Sequence, residues 1–137
     1  VAGVMVGSLI AGVSAWLLGT LLDLPTDMRL SLLPRSIATP FAMSVSSHVG
    51  GKPDLTAVFV IVTGVLGTVM GGWLRTWLPL RSPLARGALF GMGAHGAGTA
   101  KAREFAAEEG AVAGLVMVLA GLFNVFVTPA VVYWLMA

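Results

Sequence analysis

Apolar residues form three long runs that contain no charged side chain. The runs are Val1–Leu22, Leu55–Leu74 and Gly110–Ala137, and no Asp, Glu, Lys or Arg interrupts any of them. Because an α-helix rises about 1.5 Å per residue, about 20 residues cover the ~30 Å hydrocarbon core of a bilayer. The pattern predicts three membrane-spanning helices, the second of which extends to Leu78.

The composition favours a membrane protein over a soluble one. Of 137 residues, 57% are hydrophobic and 10% are charged, whereas soluble domains are about one quarter charged. Core helices of a soluble protein are the alternative, but eight basic and six acidic residues are too few to build the polar shell that such a core needs. The sequence therefore predicts an all-α integral membrane protein that crosses the lipid bilayer several times.

Charge, cysteine content and the motifs exclude several functions. The net charge is +2 and the basic residues are scattered, so no nucleic-acid partner is expected. Cysteine is absent, which excludes disulfides, zinc–thiolate sites and thiol catalysis. The segment Gly91–Gly96 matches G-x-G-x-x-G, but no strand precedes it, so no dinucleotide cofactor is expected. No hydrolase motif accompanies His48 and His95, and we expect neither an enzyme nor a bound metal.

Two polar segments separate the apolar runs, and both contain helix breakers. The first, Leu32–Gly51, holds Pro34 and Pro40 among small hydroxyl side chains. The second, Leu84–Glu109, contains the glycine-rich stretch Gly91–Gly98 before a charged end. A break frees backbone groups that cannot face lipid, so it must be buried in protein or line a wet cavity. Paired breaks in corresponding positions are typical of a transporter's binding site.

The two halves of the chain share a weak repeat at an offset of 60 residues. The identities are Thr39 with Thr99, Ala42 with Ala102, Gly50 with Gly110, Leu55 with Leu115, Val58 with Val118 and Val65 with Val125. Each half runs from a break through a short polar helix and a glycine to a long apolar helix. This order predicts an internal duplication; chance matches are the alternative in a chain so rich in Ala, Gly and Val.

The broken segments can be re-entrant hairpins or spanning helices. Hairpins give three crossings and an inverted repeat, whereas spanning segments give five crossings and a parallel repeat. The uncharged parts are shorter than the ~20 residues that a span needs, which favours hairpins, while the basic residues decide neither arrangement. We predict three long transmembrane helices that alternate with two discontinuous, re-entrant helical segments.

The first break has the chemistry of an anion site. Pro34 should end one helix, Ser36 or Thr39 could cap the next, and Pro40 fits the first turn of that helix. The N-terminus of a helix presents unpaired N–H groups and the positive end of its dipole. Arg35 adds a full positive charge that can hold a carboxylate through two hydrogen bonds. A small carboxylate is the ligand that this pattern favours.

The second break offers matching groups. Gly96 and Gly98 would allow close approach of the backbone, Thr99 could cap the following helix, and His95 stands beside them. Asn124 is an isolated amide within the third apolar run. The predicted substrate-binding residues are therefore Arg35, Ser36, Thr39, His95, Gly96, Gly98, Thr99 and Asn124.

Structural roles are the alternatives for several of these side chains. Arg35 could extend to the membrane surface, His95 could bond a neighbouring carbonyl, and Asn124 could join two helices. The charges between residues 99 and 109 are expected to form a solvated helix face, and Asp54 is expected to cap the second long helix.

Two stretches resemble the LrgB/CidB family. They are "LLPRSIATPFAMSVSSHVGGKPDLTAVFVIVTGVLG" and "ARGALFGMGAHGAGTAKAREFAAEEGAVAGLVMVLAG". The family includes the bacterial LrgB, CidB and YohK membrane proteins and the C-terminal half of the plastid glycolate/glycerate translocator. The resemblance covers nearly the whole chain, which looks like a single LrgB-like transmembrane domain at residues 1–137 without its N-terminal helices. The chain departs from the family at Arg35, usually Lys, at Ala38, usually Thr, and at Ser44, where an acidic residue is common.

The resemblance implies two activities in a bacterial inner membrane. One is a carrier for small monocarboxylates such as glycolate, glycerate, lactate or pyruvate. The alternative is an antiholin-like or holin-like regulator of murein hydrolase export and autolysis. The implied partner is an LrgA/CidA-type small membrane protein, within a homo- or hetero-oligomer. The carboxylate class comes from the helix ends, and the resemblance adds which acids to expect.

Overall fold

A computed structural model describes residues 1–137, apart from the side chain of Leu135. Within this part of the chain every regular element is a helix, as predicted, and no strand occurs. The elements are α1 (Ala2–Leu21), α2 (Thr26–Leu32), a 3-10 helix (Leu33–Ser36), α3 (Thr39–Val49), α4 (Pro53–Trp77), α5 (Pro83–Phe105) and α6 (Ala107–Met136).

Three of the described helices, α1, α4 and α6, are long and apolar enough to cross a membrane. Their bounds lie within three residues of the predicted runs. Large apolar side chains on their outer faces are exposed, such as Val69 at 69% and Phe126 at 75%. Contact of such a surface with lipid has no hydrophobic cost, whereas its contact with water is unfavourable. The prediction of an all-helical membrane protein with three long apolar helices is confirmed.

The segment from α2 to α3 folds back on itself. Ser31 of α2 accepts a hydrogen bond from the N–H of Lys52 at 2.7 Å, and its carbonyl accepts one from Thr56 Oγ1 at 2.9 Å. Asp27 pairs with Lys52 at 2.7 Å, and this bond holds the pKa of Asp27 below its usual value. The start and the end of the segment therefore lie side by side. We call α2, the 3-10 helix and α3 the first hairpin, with its tip at Leu33–Ala38.

Helix α5 also reverses its direction. The rings of Phe90 and Phe105 lie 5.8 Å apart, although 15 residues of straight helix would separate them by about 22 Å. A Cβ atom added at Gly98 would collide with the carbonyl oxygen of Phe90. The reversal is at His95, whose φ of 48° and ψ of −125° are not helical. We call α5 the second hairpin, with its tip at His95.

The two hairpins open at opposite ends of α4. The first is joined to the beginning of α4 through Thr56. At the other end, Arg75 of α4 and Arg86 of α5 both bond Glu109 of α6, at 3.0 and 3.3 Å. The tip of the second hairpin reaches the middle of α4, where the Ala94 carbonyl lies against Gly64. Ile37, at the tip of the first hairpin, belongs to the same apolar cluster as Val60 of α4. Both breaks therefore lie level with the middle of α4.

Two local predictions are wrong. Asp54 does not cap α4, because the cap position is Lys52 and Asp54 lies within the first turn. Glu109 is not part of a solvated face, because it is 2% exposed and is paired with two arginines. The pair of Lys101 and Glu104 is exposed, as expected of that segment.

Candidate functional site

The tip of the first hairpin leads into α3, whose N-terminus has no side-chain cap. After the 3-10 helix, Ile37 is extended, and α3 begins at Thr39 with Ala38 in the cap position and no side-chain cap. The predicted caps, Ser36 and Thr39, are therefore wrong, because Ser36 lies in the preceding helix and Thr39 inside α3. Pro40 does occupy the first turn. The free N–H groups of that turn have no side-chain partner in the described part of the chain.

The tip of the second hairpin is a buried histidine. His95 is 3% exposed and is held at a positive φ, which is uncommon for a residue with a Cβ atom. Its Nε2 atom has no hydrogen-bond partner among the described residues. Helix α5 also contacts the 3-10 helix of the first hairpin. The tips of the two hairpins are therefore neighbours.

The two tips border one cleft of about 520 Å³. Thr39 lines it from the first turn of α3, and His95 and Gly96 line it from the second hairpin. Gly64 of α4 and Met117 of α6 contribute to the walls, which are mostly apolar. Three of the eight predicted binding residues thus share a single cavity. Backbone N–H groups, a hydroxyl and an imidazole in this setting could hold a small anion.

Arg35 and Ser36 lie beside this cleft and not in its walls. Ser36 is buried within the 3-10 helix. Arg35 is half-buried, and its Nη2 atom donates to Ser14 Oγ of α1 at 3.3 Å. The guanidinium is therefore directed toward α1. It can act on an anion in the cleft through its charge, while a direct contact would need a change of its side-chain conformation.

The other predicted residues have different surroundings. Gly98 packs against the backbone of Phe90, whereas a Cβ at Gly96 would meet nothing within 4 Å, so the expected close approach holds at Gly98 alone. Thr99 is not a cap, because its Oγ1 donates to the carbonyl of His95 one turn earlier, at 2.9 Å. Asn124 donates to a carbonyl of its own helix and lines a separate groove between α1 and α6.

Sequence reasoning did not identify the role of α4 as a wall of the site. Gly64, Gly67 and Gly71 lie three and four residues apart, so they share one helix face. Cβ atoms added to these glycines would contact α5. The atom at Gly64 would contact Ala94 near the hairpin tip, and the atom at Gly71 would contact Phe90, closer to the beginning of α5. The spacing of the glycines was the signal in the sequence for this role. It indicates that another helix packs closely, but not which helix.

Comparison with known proteins identifies relatives. The model of the LrgB-like family matches residues 1–134. Uncharacterized protein YwbG of Bacillus subtilis (strain 168) is 44% identical over 126 residues, which are 92% of this chain and 56% of that protein. YxaC of the same strain is 34% identical over 131 residues, 96% and 57% of the two chains. Holin-like protein CidB of Staphylococcus epidermidis is 35% identical over 106 residues, 77% and 46% of the two chains.

The chain spans about half the length of these relatives. No solved structure matches it. The matched region contains all three long apolar helices and both hairpins, and the relatives are bacterial proteins. The chain belongs to the LrgB-like family.

Proposed function

We propose that the chain is the membrane-embedded part of a holin-like or antiholin-like protein that regulates murein hydrolase export and autolysis. The observation that carries the proposal is the 35% identity to holin-like protein CidB over 77% of this chain. Three helices with exposed apolar faces are consistent with a protein that acts inside a membrane. No enzymatic activity is part of the proposal.

The proposed surroundings are a bacterial inner membrane, which the protein crosses several times. The outer faces of α1, α4 and α6 expose large apolar side chains, which could contact lipid or other subunits. We propose an LrgA/CidA-type small membrane protein as the partner, within a homo- or hetero-oligomer. In this reading the assembly of subunits controls whether the membrane leaks.

The proposed arrangement in the membrane has three crossings and two re-entrant hairpins. Each half of α5 has about 11 residues and is about 17 Å long, too short to cross the hydrocarbon core alone. Both hairpin tips lie beside the middle of α4, where irregular backbone has to be covered by protein. Since the hairpins open at opposite ends of α4, we also propose that the halves form an inverted repeat.

A carrier for small monocarboxylates is the second candidate, and the cleft between the hairpin tips favours it. Glycolate, glycerate, lactate and pyruvate each have one carboxylate and a few heavy atoms, and a cleft of about 520 Å³ has room for any of them. The predicted contacts are the first turn of α3, Thr39, His95 and Gly96. The charge of Arg35 would favour an anion at this depth.

One experiment separates the two functions. The intact protein and its LrgA/CidA-type partner are reconstituted in liposomes that contain a trapped dye, and the uptake of labelled pyruvate and glycolate is followed beside dye release. A holin-like function predicts dye loss and an antiholin-like function predicts less dye loss than with the partner alone, and in both cases uptake rises in proportion to concentration. Saturable uptake would contradict both and support the carrier. Liposomes with the partner alone provide the control.

A further inference from the structure

A groove of about 230 Å³ lies between α1 and α6, away from the cleft at the hairpin tips. Apart from Leu33, its lining residues form two rows on each helix, with a spacing of four. The rows on α1 are Ser8–Gly12–Trp16 and Leu9–Val13–Leu17, and the rows on α6 are Asn124–Thr128–Val132 and Phe123–Val127–Val131. Side chains spaced by four form the ridges through which helices pack together. The groove therefore has the shape of a seat for a further helix.

The groove contains polar side chains whose hydrogen-bonding capacity is not fully used. Ser8 is 3% exposed, and its hydroxyl has no hydrogen-bond partner among the described residues. Asn124 donates one hydrogen bond, to the carbonyl of Ala120, although its amide group carries two N–H bonds. Both residues lie near the middle of long apolar helices. Because lipid chains cannot bond such groups, a protein neighbour is the surrounding that suits them.

Gly12 leaves room in the groove for a side chain from a neighbour. A Cβ atom added at Gly12 would meet nothing within 4 Å, whereas one added at Gly7 of the same helix would contact Met92 of α5. The apolar side chains beside Gly12, Leu9 and Val13, are about half exposed. An apolar side chain of an adjacent helix could enter here without displacing any part of α1 or α6.

Length and connection favour a helix of the same polypeptide as the occupant. Since 126 matched residues are 56% of YwbG, about 100 residues of that relative lie outside the match, enough for several spans of about 20 residues. The groove extends over only about two and a half helical turns. Stable association of separate proteins typically buries more than about 1,000 Å². A helix on the same polypeptide needs less contact area, because the connection keeps its local concentration high.

We propose that, in the intact protein, a membrane-spanning helix from outside residues 1–137 lies in the groove between α1 and α6. This helix places an apolar side chain over Gly12 and a polar side chain beside Ser8. The Ser8 hydroxyl can turn toward its partner by a change of rotamer. The interface completes the membrane domain in a holin-like protein and in a carrier alike, so it depends on neither candidate function.

Photo-cross-linking of the intact protein in its membrane identifies the occupant. The photoreactive amino acid p-benzoylphenylalanine replaces Val13 in the groove, and mass spectrometry identifies the peptide that it captures after irradiation. The expected product has the mass of one protein chain and joins α1 to a peptide from outside residues 1–137. Cross-links to lipid alone, to a second copy or to a separate membrane protein would overturn the proposal. The same amino acid at Val69, which is exposed on α4, is the reference and should not capture that peptide.

Gly12→Leu should displace the docked helix. The added side chain fills the groove, so the cross-link from position 13 should be lost and the melting temperature of the intact protein should fall. Gly3→Leu is the matched control, because a Cβ atom at Gly3 also meets nothing within 4 Å and Gly3 lies outside the groove. An undiminished cross-link in Gly12→Leu would contradict the proposal.

Ser8→Ala tests the polar contact without adding bulk. If a polar side chain of the docked helix bonds Ser8, the substitution leaves that group unpaired, and the melting temperature of the intact protein should fall by at least about 2 °C. Alanine is the better helix former, so a serine without a partner predicts an unchanged or higher melting temperature. That outcome would refute the contact at Ser8.

Discussion

At the scale of single residues, Glu109 joins three helices. Its carboxylate accepts hydrogen bonds from Arg75 at 3.0 and 3.3 Å and from Arg86 at 3.3 Å. The guanidinium of Arg75 also lies 4.2 Å from the centre of the Phe105 ring. A carboxylate that is 2% exposed needs such partners, because burial of an unpaired charge is very costly. This cluster holds the open end of the second hairpin against α4.

Replacement of Glu109 should destabilise the protein strongly. Glu109→Gln removes the charge that balances two partly buried guanidinium groups, and a broken buried pair typically costs about 3–5 kcal/mol. Glu104→Gln is the control, since Glu104 is exposed and its pair with Lys101 is worth about 0–1 kcal/mol. Thermal unfolding in detergent measures both variants. Equal effects of the two substitutions would refute the role given to Glu109.

The role of a residue could be predicted from the sequence where neighbouring residues in the chain determine it. Pro40 fits the first turn of a helix wherever that helix starts, and the glycine-rich stretch around His95 marked the second break correctly. Glu109 was misjudged because Arg75 and Arg86 lie 34 and 23 residues away. Thr99 was misjudged because the reversal occurs at His95 itself, so the Thr99 hydroxyl donates to the His95 carbonyl and does not accept from a free N–H group.

At the scale of elements, α4 is the support on which both hairpins are placed. The face with Gly64, Gly67 and Gly71 lets α5 approach at backbone distance. A Cβ atom at Gly67 would collide with the backbone of Gly93, just before the tip of the second hairpin. The close contact of α4 with α5 therefore depends on the absence of a single methyl group.

Gly67→Ala should be destabilising although alanine is the better helix former. The methyl group meets the backbone of Gly93, which cannot rotate away, and overpacking of this kind costs about 1–3 kcal/mol. Gly72→Ala in the same helix meets nothing within 4 Å and should be neutral or stabilising by up to about 1 kcal/mol. Melting temperatures in detergent decide the matter. A Gly67→Ala protein as stable as Gly72→Ala would contradict the packing of α4 on α5.

At the scale of the whole molecule, the two ends of α4 carry unequal numbers of basic residues. Arg35 lies at a hairpin tip, and the other basic residues lie toward the two ends of α4. The end with Trp77 has Arg75, Arg81, Arg86, Lys101 and Arg103, and the opposite end has Arg29 and Lys52. Because cytoplasmic loops are enriched in Lys and Arg, the Trp77 end should face the cytoplasm.

The long helices could be predicted from the sequence because hydrophobic length alone determines them. The prediction of hairpins in place of spanning segments depended on the length of the uncharged parts alone, because both arrangements have the same local pattern of breaks and short helices. That choice depends on contacts between distant residues, such as Ser31 with Thr56 and Phe90 with Phe105. The same holds for the cleft, which exists only because two breaks from separate parts of the chain meet beside α4.

The proposed arrangement of three crossings and two re-entrant hairpins can be tested by cysteine accessibility. The chain contains no cysteine, and single cysteines can be introduced at four exposed positions, Thr26, Lys52, Ser82 and Glu108. A membrane-impermeant thiol reagent applied from outside should label Thr26→Cys and Lys52→Cys alike, and should label Ser82→Cys and Glu108→Cys only after the membrane is opened. If Thr26→Cys and Lys52→Cys were labelled from opposite sides, the first hairpin would be a spanning segment and the proposed topology would be wrong.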